Sequence, residues 1–122
     1  MITIIIFRDQ DGSAPFLDWF DRLVEKAKVQ CRARLELLAE QGHQLRRPAA
    51  DYLRDGIYEL RAKAGRVQYR MLYFFHGRQA VVISHGITKQ ETAVPSAEIE
   101  RARRRKQAFE ADPQRHAYKE TQ

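Results

Sequence analysis

The chain is poor in cysteine, in metal-ligand spacings and in long apolar runs. Its one cysteine, Cys31, excludes an internal disulfide framework. Lying on a helical apolar stripe, it reads as a reduced thiol packed between elements. The four histidines fall at no HxxxH or HExxH spacing and there is no CxxC, so neither a zinc site nor any other metal or cofactor is expected. No stretch approaches the ~20 apolar residues that span a bilayer. The opening "MITIIIF" has no basic segment before it and no small-residue cleavage site after it, so it reads as a strand and not as a signal peptide. These absences point to a cytoplasmic protein without a membrane partner. The 122 residues suit one domain, with no repeats and no low-complexity linker. The reading assigns 1–112 to that domain and 113–122 to a frayed C-terminal tail.

Positive charge is abundant and unevenly placed. Residues 1–57 hold nine Lys/Arg against nine Asp/Glu, and residues 58–122 hold thirteen against seven, so the whole formal excess of +6 lies in the second half. Such a field favours a polyanion, nucleic acid being the commonest.

Periodicity gives the order strand, helix, helix, three strands, helix. Ile2 to Phe7 is a continuous apolar run fitting a strand covered on both faces. Ser13 reads as an N-cap, with Pro15 in the first turn of a helix carrying Phe16, Phe20, Leu23 and Val24. A second helix follows from about Val29 to Gly42. "HQLRRPAADYLRDG" reads as a connection, interrupted by Pro48 and Gly56. Three strands with short turns then form a meander, and a helix opens at "VPSAEIERA". The expected class is α+β: a small antiparallel sheet of the N-terminal strand plus the meander, with the helical hairpin on one face.

The stretch "YELRAKAGRVQYRMLYFF", Tyr58 to Phe75, is sorted by face. Side chains alternate along a strand, so Tyr58, Leu60 and Ala62 point one way and Glu59, Arg61 and Lys63 the other. In the second strand Arg66, Gln68, Arg70, Leu72 and Phe74 share the latter face. An even-length turn centred on Ala64-Gly65 pairs Lys63 with Arg66, Arg61 with Gln68 and Glu59 with Arg70; an odd loop would set charge against the core. A next turn at Gly77-Arg78 pairs Leu72 with Ile83 and Arg70 with His85. That adds His85 and Lys89 to the cationic half, while Leu72, Phe74, Val81 and Ile83 form an apolar half for the last helix to cover. Facing like charges such as Lys63 and Arg66 cost stability, and are kept more readily where an anion visits.

Several cations, one carboxylate and one histidine without metal ligands suit metal-independent cleavage of RNA, in which the ribose 2′-OH attacks the adjacent phosphate. Glu59 is a candidate base. His85 is a candidate acid or base, with an unperturbed pKa near 6.5. Arg61, Arg70 and Lys89 are candidates to hold phosphate and stabilise the phosphorane. Lys63, Arg66 and Gln68 extend the same face, and Arg46 and Arg47 stand in the loop before it. Five cations in "RARRRK", Arg101 to Lys106, cannot all face one partner on a helix; Arg103 and Arg104 are taken as backbone contacts and the rest as solvated. His43, His76 and His116 read as surface residues.

At "LRDGIYELRAKAGRVQYRMLYFF", "VVISHGITKQE" and "VPSAEIERA" the chain resembles the HigB-like branch of the RelE/ParE toxin superfamily, the branch related to phage proteins. The resemblance covers Leu53 to about Phe109. It implies a toxin of a type II toxin–antitoxin module: a ribosome-dependent mRNA endoribonuclease that blocks translation. It further implies a cognate antitoxin, of the HigA-like helix-turn-helix kind, with mRNA and ribosomal RNA as the other partners. The basic position after "YEL" falls on Arg61, the arginine of "YR" on Arg70, and the first lysine after the third strand on Lys89. The chain departs from the pattern at Gln90 and Val94. The alternatives are a gyrase-directed toxin of the same fold and a non-catalytic nucleic-acid-binding protein.

Overall fold

The computed structural model describes residues 1–89 and 93–119, of Lys89 the backbone alone. Ten segments follow in order: β1 (Thr3–Ile6), α1 (Pro15–Asp21), α2 (Glu25–Gln41), a short 3-10 turn (Gly42–Gln44), β2 (Ala50–Arg54), β3 (Ile57–Ala64), β4 (Val67–His76), β5 (Ala80–Lys89), α3 (Ser96–Ala111) and α4 (Pro113–His116). The class is α+β, as read from the sequence.

The sheet has five strands in the order β1-β5-β4-β3-β2. It is mixed, because β1 runs parallel to β5. The helices carry the chain across one face to the far edge, and three hairpin reversals bring β5 back beside β1. The additional strand, β2, lies inside the stretch read as a connection. Its turn to β3 is Asp55-Gly56, with φ of 54° and 80°, the positive values of a type I′ hairpin turn. Ala14 and not Ser13 is the N-cap of α1; the Ser13 hydroxyl donates to Asp11 Oδ1 at 2.6 Å instead.

Face sorting along β3 and β4 is as the alternation requires. Leu60, Ala62, Tyr69, Met71 and Tyr73 pack with Phe16, Ala27, Cys31 and Leu38 of the first two helices. Cys31 is wholly buried, and burial pushes its thiol up to about 11, which leaves it inert. Ile57, Leu72, Phe74 and Val82 pack with Phe7 and with Ile99, Ala102 and Phe109 of α3.

The partners within the sheet differ from those expected. The first turn is Gly65-Arg66, so Ala64 faces Val67, Lys63 faces Gln68 and Arg61 faces Arg70. Gly65 has φ +61°, which places the glycine first in the loop as a type II′ turn demands. Opposite Leu72 and Tyr73 of β4 the register shifts, with Ser84 of β5 the extra residue. This bulge turns Val81 and Ile83 to the α1–α2 side and Val82 to the α3 side, and keeps His85 and Ile87 on the α3 side. Arg70 therefore faces Ile87, and His85 faces Leu72.

Of residues 113–122, read as tail, 113–118 are structured, and 120–122 lie outside the described residues. His116 is buried, stacks on Phe7 at 5.2 Å, and sets Nδ1 2.8 Å from the Arg8 carbonyl. The expectation of a surface His116 is thereby corrected; a helical turn too short to show periodicity concealed the packing.

Gly86 shows how tightly α1 lies on β5. A Cβ there would fall 2.1 Å from the Trp19 ring, whose indole Nε1 donates to Thr88 Oγ1 at 3.1 Å. Gly86→Ala should cost about 1–3 kcal/mol by overpacking, read as a lower urea midpoint with an unchanged m-value.

Candidate functional site

The registers line up three rows on the α3 side of the sheet. The first runs Asp51, Glu59, Leu72, His85; the second Arg61, Arg70, Ile87; the third Lys63, Gln68. Leu72 and His85 of the first row lie under α3. Farther along, the cations of β3 and β4 stand free of it and border a cleft of about 250 Å³, lined by Arg34, Pro48, Arg61, Lys63, Gln68 and Arg70. Arg34 comes from α2 and was not singled out by sequence reasoning. Its helix packs on the other face, and only the short span of β2 lets it reach this border.

Arg61 and Arg70 face each other across the strands, which alone would repel. Glu59 relieves this. Its Oε1 accepts from Arg61 Nε at 3.1 Å and lies 2.7 Å from Arg70 Nε. The second contact is ionic but is not aimed along the N–H, so Arg70 Nε is buried without a hydrogen bond among the described residues. Arg70 Nη2 donates to Gln68 Oε1 at 2.6 Å. Glu59 and Arg70 are 3% and 6% exposed, so both are held in place, Arg70 in the cleft wall and Glu59 behind it. Burial holds the Arg70 guanidinium below its usual pKa, with Glu59 opposing. Arg61 also lies 3.6 Å from Asp51, another unforeseen neighbour. Asp51 is held below the usual carboxylate range chiefly by its hydrogen bond from Arg47, with Arg61 adding a little.

The other sequence candidates are dispersed. Arg66 sits exposed in the turn. Arg46 donates to the carbonyls of His43 and Leu45, Arg47 is taken up by Asp51 at 2.6 Å, and neither lines the cleft. Arg103 is paired with Glu100, and Arg104 lines a different pocket. Lys89 stands opposite Gln68 by its backbone; its side chain and Gln90 lie outside the described residues.

His85 is on the expected face but engaged elsewhere. It is 5% exposed, with Nδ1 2.8 Å from Ser84 Oγ and Nε2 3.3 Å from Glu98 Oε1 on α3. Arg105 donates to the same serine oxygen at 3.4 Å, and among the described residues the buried Nε2 has no hydrogen-bond partner. Burial, then the Arg105 charge, push the imidazole down to about 4 against the pull of Glu98, so the ring is neutral at physiological pH.

This sets a pH dependence. Between about 6.5 and about 4 the unfolded chain binds a proton that the folded chain refuses. Stability therefore falls as pH drops through that window, by at most roughly 3 kcal/mol, and this contribution is constant below it. His85→Gln should flatten that limb when urea midpoints are measured from pH 7 to 4. An unaltered limb in the variant would assign the acid sensitivity to other groups.

A mixed sheet with paired helices on one face and a terminal helix on the other is the small RelE-like α+β arrangement, here bearing a cation-lined cleft. The chain belongs to the phage derived protein Gp49-like family (DUF891), whose profile matches residues 18–107. Among curated proteins none matches the chain at a significant level. Among the described residues no helix is long and apolar enough to cross a membrane.

Proposed function

We propose that this chain is the toxin of a type II toxin–antitoxin module, of the HigB-like branch of the RelE/ParE superfamily, and cleaves translated mRNA on the ribosome without a metal. One observation carries the reading: two arginines tied to one buried carboxylate face an open cleft whose other charged lining residues, Arg34 and Lys63, are cations. Arg61 and Arg70 grip the scissile phosphate and stabilise the charge that grows on it during attack by the 2′-OH. Lys63, Gln68 and Arg34 take the flanking backbone. Glu59, enclosed by two guanidiniums, serves to aim them and is not the base. Lys89, opposite Gln68 by its backbone, is the candidate for proton transfer. The protein acts in the cytoplasm, and a HigA-like antitoxin restrains it there by covering the cationic border.

The test is induced expression in a sensitive bacterium, with primer extension on a translated mRNA and end-group analysis of the 5′ fragment. Cuts within codons ending in a 2′,3′-cyclic phosphate or 3′-phosphate support the reading, and a 3′-hydroxyl rules out 2′-OH attack. Broken or under-supercoiled DNA with intact mRNA would put a gyrase-directed toxin in its place. A second reading, a non-catalytic RNA-binding protein, is favoured by one feature: His85 is neutral and lies under α3, which leaves no acid–base pair beside Arg70. Normal growth together with RNA binding would select it.

A further inference from the structure

The run Arg101 to Lys106 places five cations on α3, and their ion pairs sort them. Arg101 is paired with Glu98, Arg103 with Glu100, and Lys106 with Glu110. Among the described residues Arg104 and Arg105 touch no carboxylate. For Arg104, which is exposed, water suffices. Arg105 is different. It is partly buried, with its guanidinium 5.8 Å from the centre of the Phe7 ring and one hydrogen bond, to Ser84 Oγ at 3.4 Å. Burial pulls its pKa below the usual arginine range, with Asp9 opposing from a distance. Arg101, Arg104, Arg105, Asp9, Phe7 and Ala108 enclose a pocket of about 320 Å³.

A half-buried guanidinium with no carboxylate in contact costs free energy, and three around one pocket repel, a cost that Asp9 on the lining and Glu98 beside Arg101 offset only in part. An anion removes both costs, and a phosphate does so with fork geometry. The geometry points to a second phosphate site, formed by Arg101, Arg104 and Arg105, that takes a backbone phosphate of the RNA whose neighbouring stretch occupies the Arg61–Arg70 cleft. It rests on the proposed reading in taking RNA as the polyanion. Both sites lie on the α3 side of the sheet, the cleft on β3 and β4 and this pocket at the end of β1. Two such sites on one face fit an extended chain of phosphates better than one small ion.

Arg105 links the pocket to His85 through Ser84. Ser84 contacts both Arg105 and the imidazole, and the charged groups facing that ring are Arg105, Glu98 and Arg101, all from α3. A phosphate on Arg105 cancels a charge that opposes protonation, so occupancy should raise the His85 titration midpoint.

Two measurements on the full chain test this. The first is anisotropy of a short labelled single-stranded RNA over a salt series. Arg104→Glu, at an exposed position, and Arg105→Gln should each weaken binding about tenfold and lower the salt slope by about 0.7 for each phosphate no longer held. The effect should add to that of Arg61→Ala in the cleft. Wild-type affinity and slope in Arg104→Glu would overturn the site. The second is NMR titration of His85 with inorganic phosphate, where the midpoint should rise in wild type and show no phosphate-dependent rise in Arg105→Gln. A wild-type ring indifferent to phosphate overturns the site, and a rise without an RNA defect overturns the nucleic-acid ligand. Neither measurement needs cleavage: intact mRNA in cells would sink the endoribonuclease and leave this site standing.

Discussion

Arg70→Lys should fold, still bind ribosomes, and cleave mRNA at least roughly a hundredfold more slowly, the usual scale for losing a fixed donor to transition-state charge. Arg70 is asked to do three things from one planar group: meet Glu59, donate to Gln68, and face the cleft. A lysine can keep the charge beside Glu59, but its ammonium is a point and cannot hold the other two directions at once. Nor is truncation a clean alternative, since Arg70 is only 6% exposed, and Arg70→Ala would open a buried ion pair as well as remove a phosphate ligand. The measurement is a single-turnover rate on programmed ribosomes, with ribosome pelleting as the binding control. Cleavage by Arg70→Lys at the wild-type rate would end the bidentate phosphate role and make the cleft a docking surface.

Glu59→Ala should be the most destabilising substitution in the site. It leaves Arg61 and Arg70 opposed across adjacent strands with no carboxylate between them, and Arg70 buried. Removing one partner of a buried pair costs about 3–5 kcal/mol, which for a domain of this size lowers the melting temperature by roughly 10 °C or more. Arg61 is spared part of the penalty, because its side chain is 28% exposed and has Asp51 as a second partner. Glu59→Gln keeps an acceptor for the Arg61 Nε and loses only the charge, so it should melt between wild type and Glu59→Ala. It should also cleave detectably, because a positioning residue can be partly replaced and a general base cannot. Calorimetry and the same single-turnover assay separate the cases: abolished cleavage in a well-folded Glu59→Gln would return the base's role to Glu59.

The face on which each residue of β3 and β4 lies was legible in the sequence, and the partner across the strands was not. Alternation fixes a register only modulo two. A turn at Ala64-Gly65 and a turn at Gly65-Arg66 differ by two, so both keep Glu59, Arg61 and Arg70 together. The deciding signal was the glycine itself, since the II′ loop wants it first, and Ala64 in that place would need a positive φ. β2 had a comparable signal in Asp55-Gly56, masked by Pro48 and by a strand of only five residues. The bulge at Ser84 had none. Val81 to Ser84 is apolar or small enough to alternate either way, and only the packing of Val82 under α3 decides it. For that reason His85 was rightly set on the cationic face yet wrongly set beside Arg70. Arg34 was invisible for another reason: its approach to the cleft depends on where β2 stops, a fact of topology and not of pattern.

The packing of residues 116–118 on β1 bears on how the molecule can be handled and how it meets other chains. Ala117 pairs with Phe7, and the Tyr118 amide donates to the Ile6 carbonyl at 2.8 Å. The last turns of the chain thus act as a clasp on one margin of the sheet, while the β2 margin has no such cover among the described residues. A truncation placed at 112, which the sequence alone invites, would strip the clasp and bare main-chain donors and acceptors beside an isoleucine-rich strand, the kind of border that recruits other strands. Fusions at the C-terminus therefore need a spacer that leaves Tyr118 seated, and a partner that adds a strand to this sheet finds its opening beside β2.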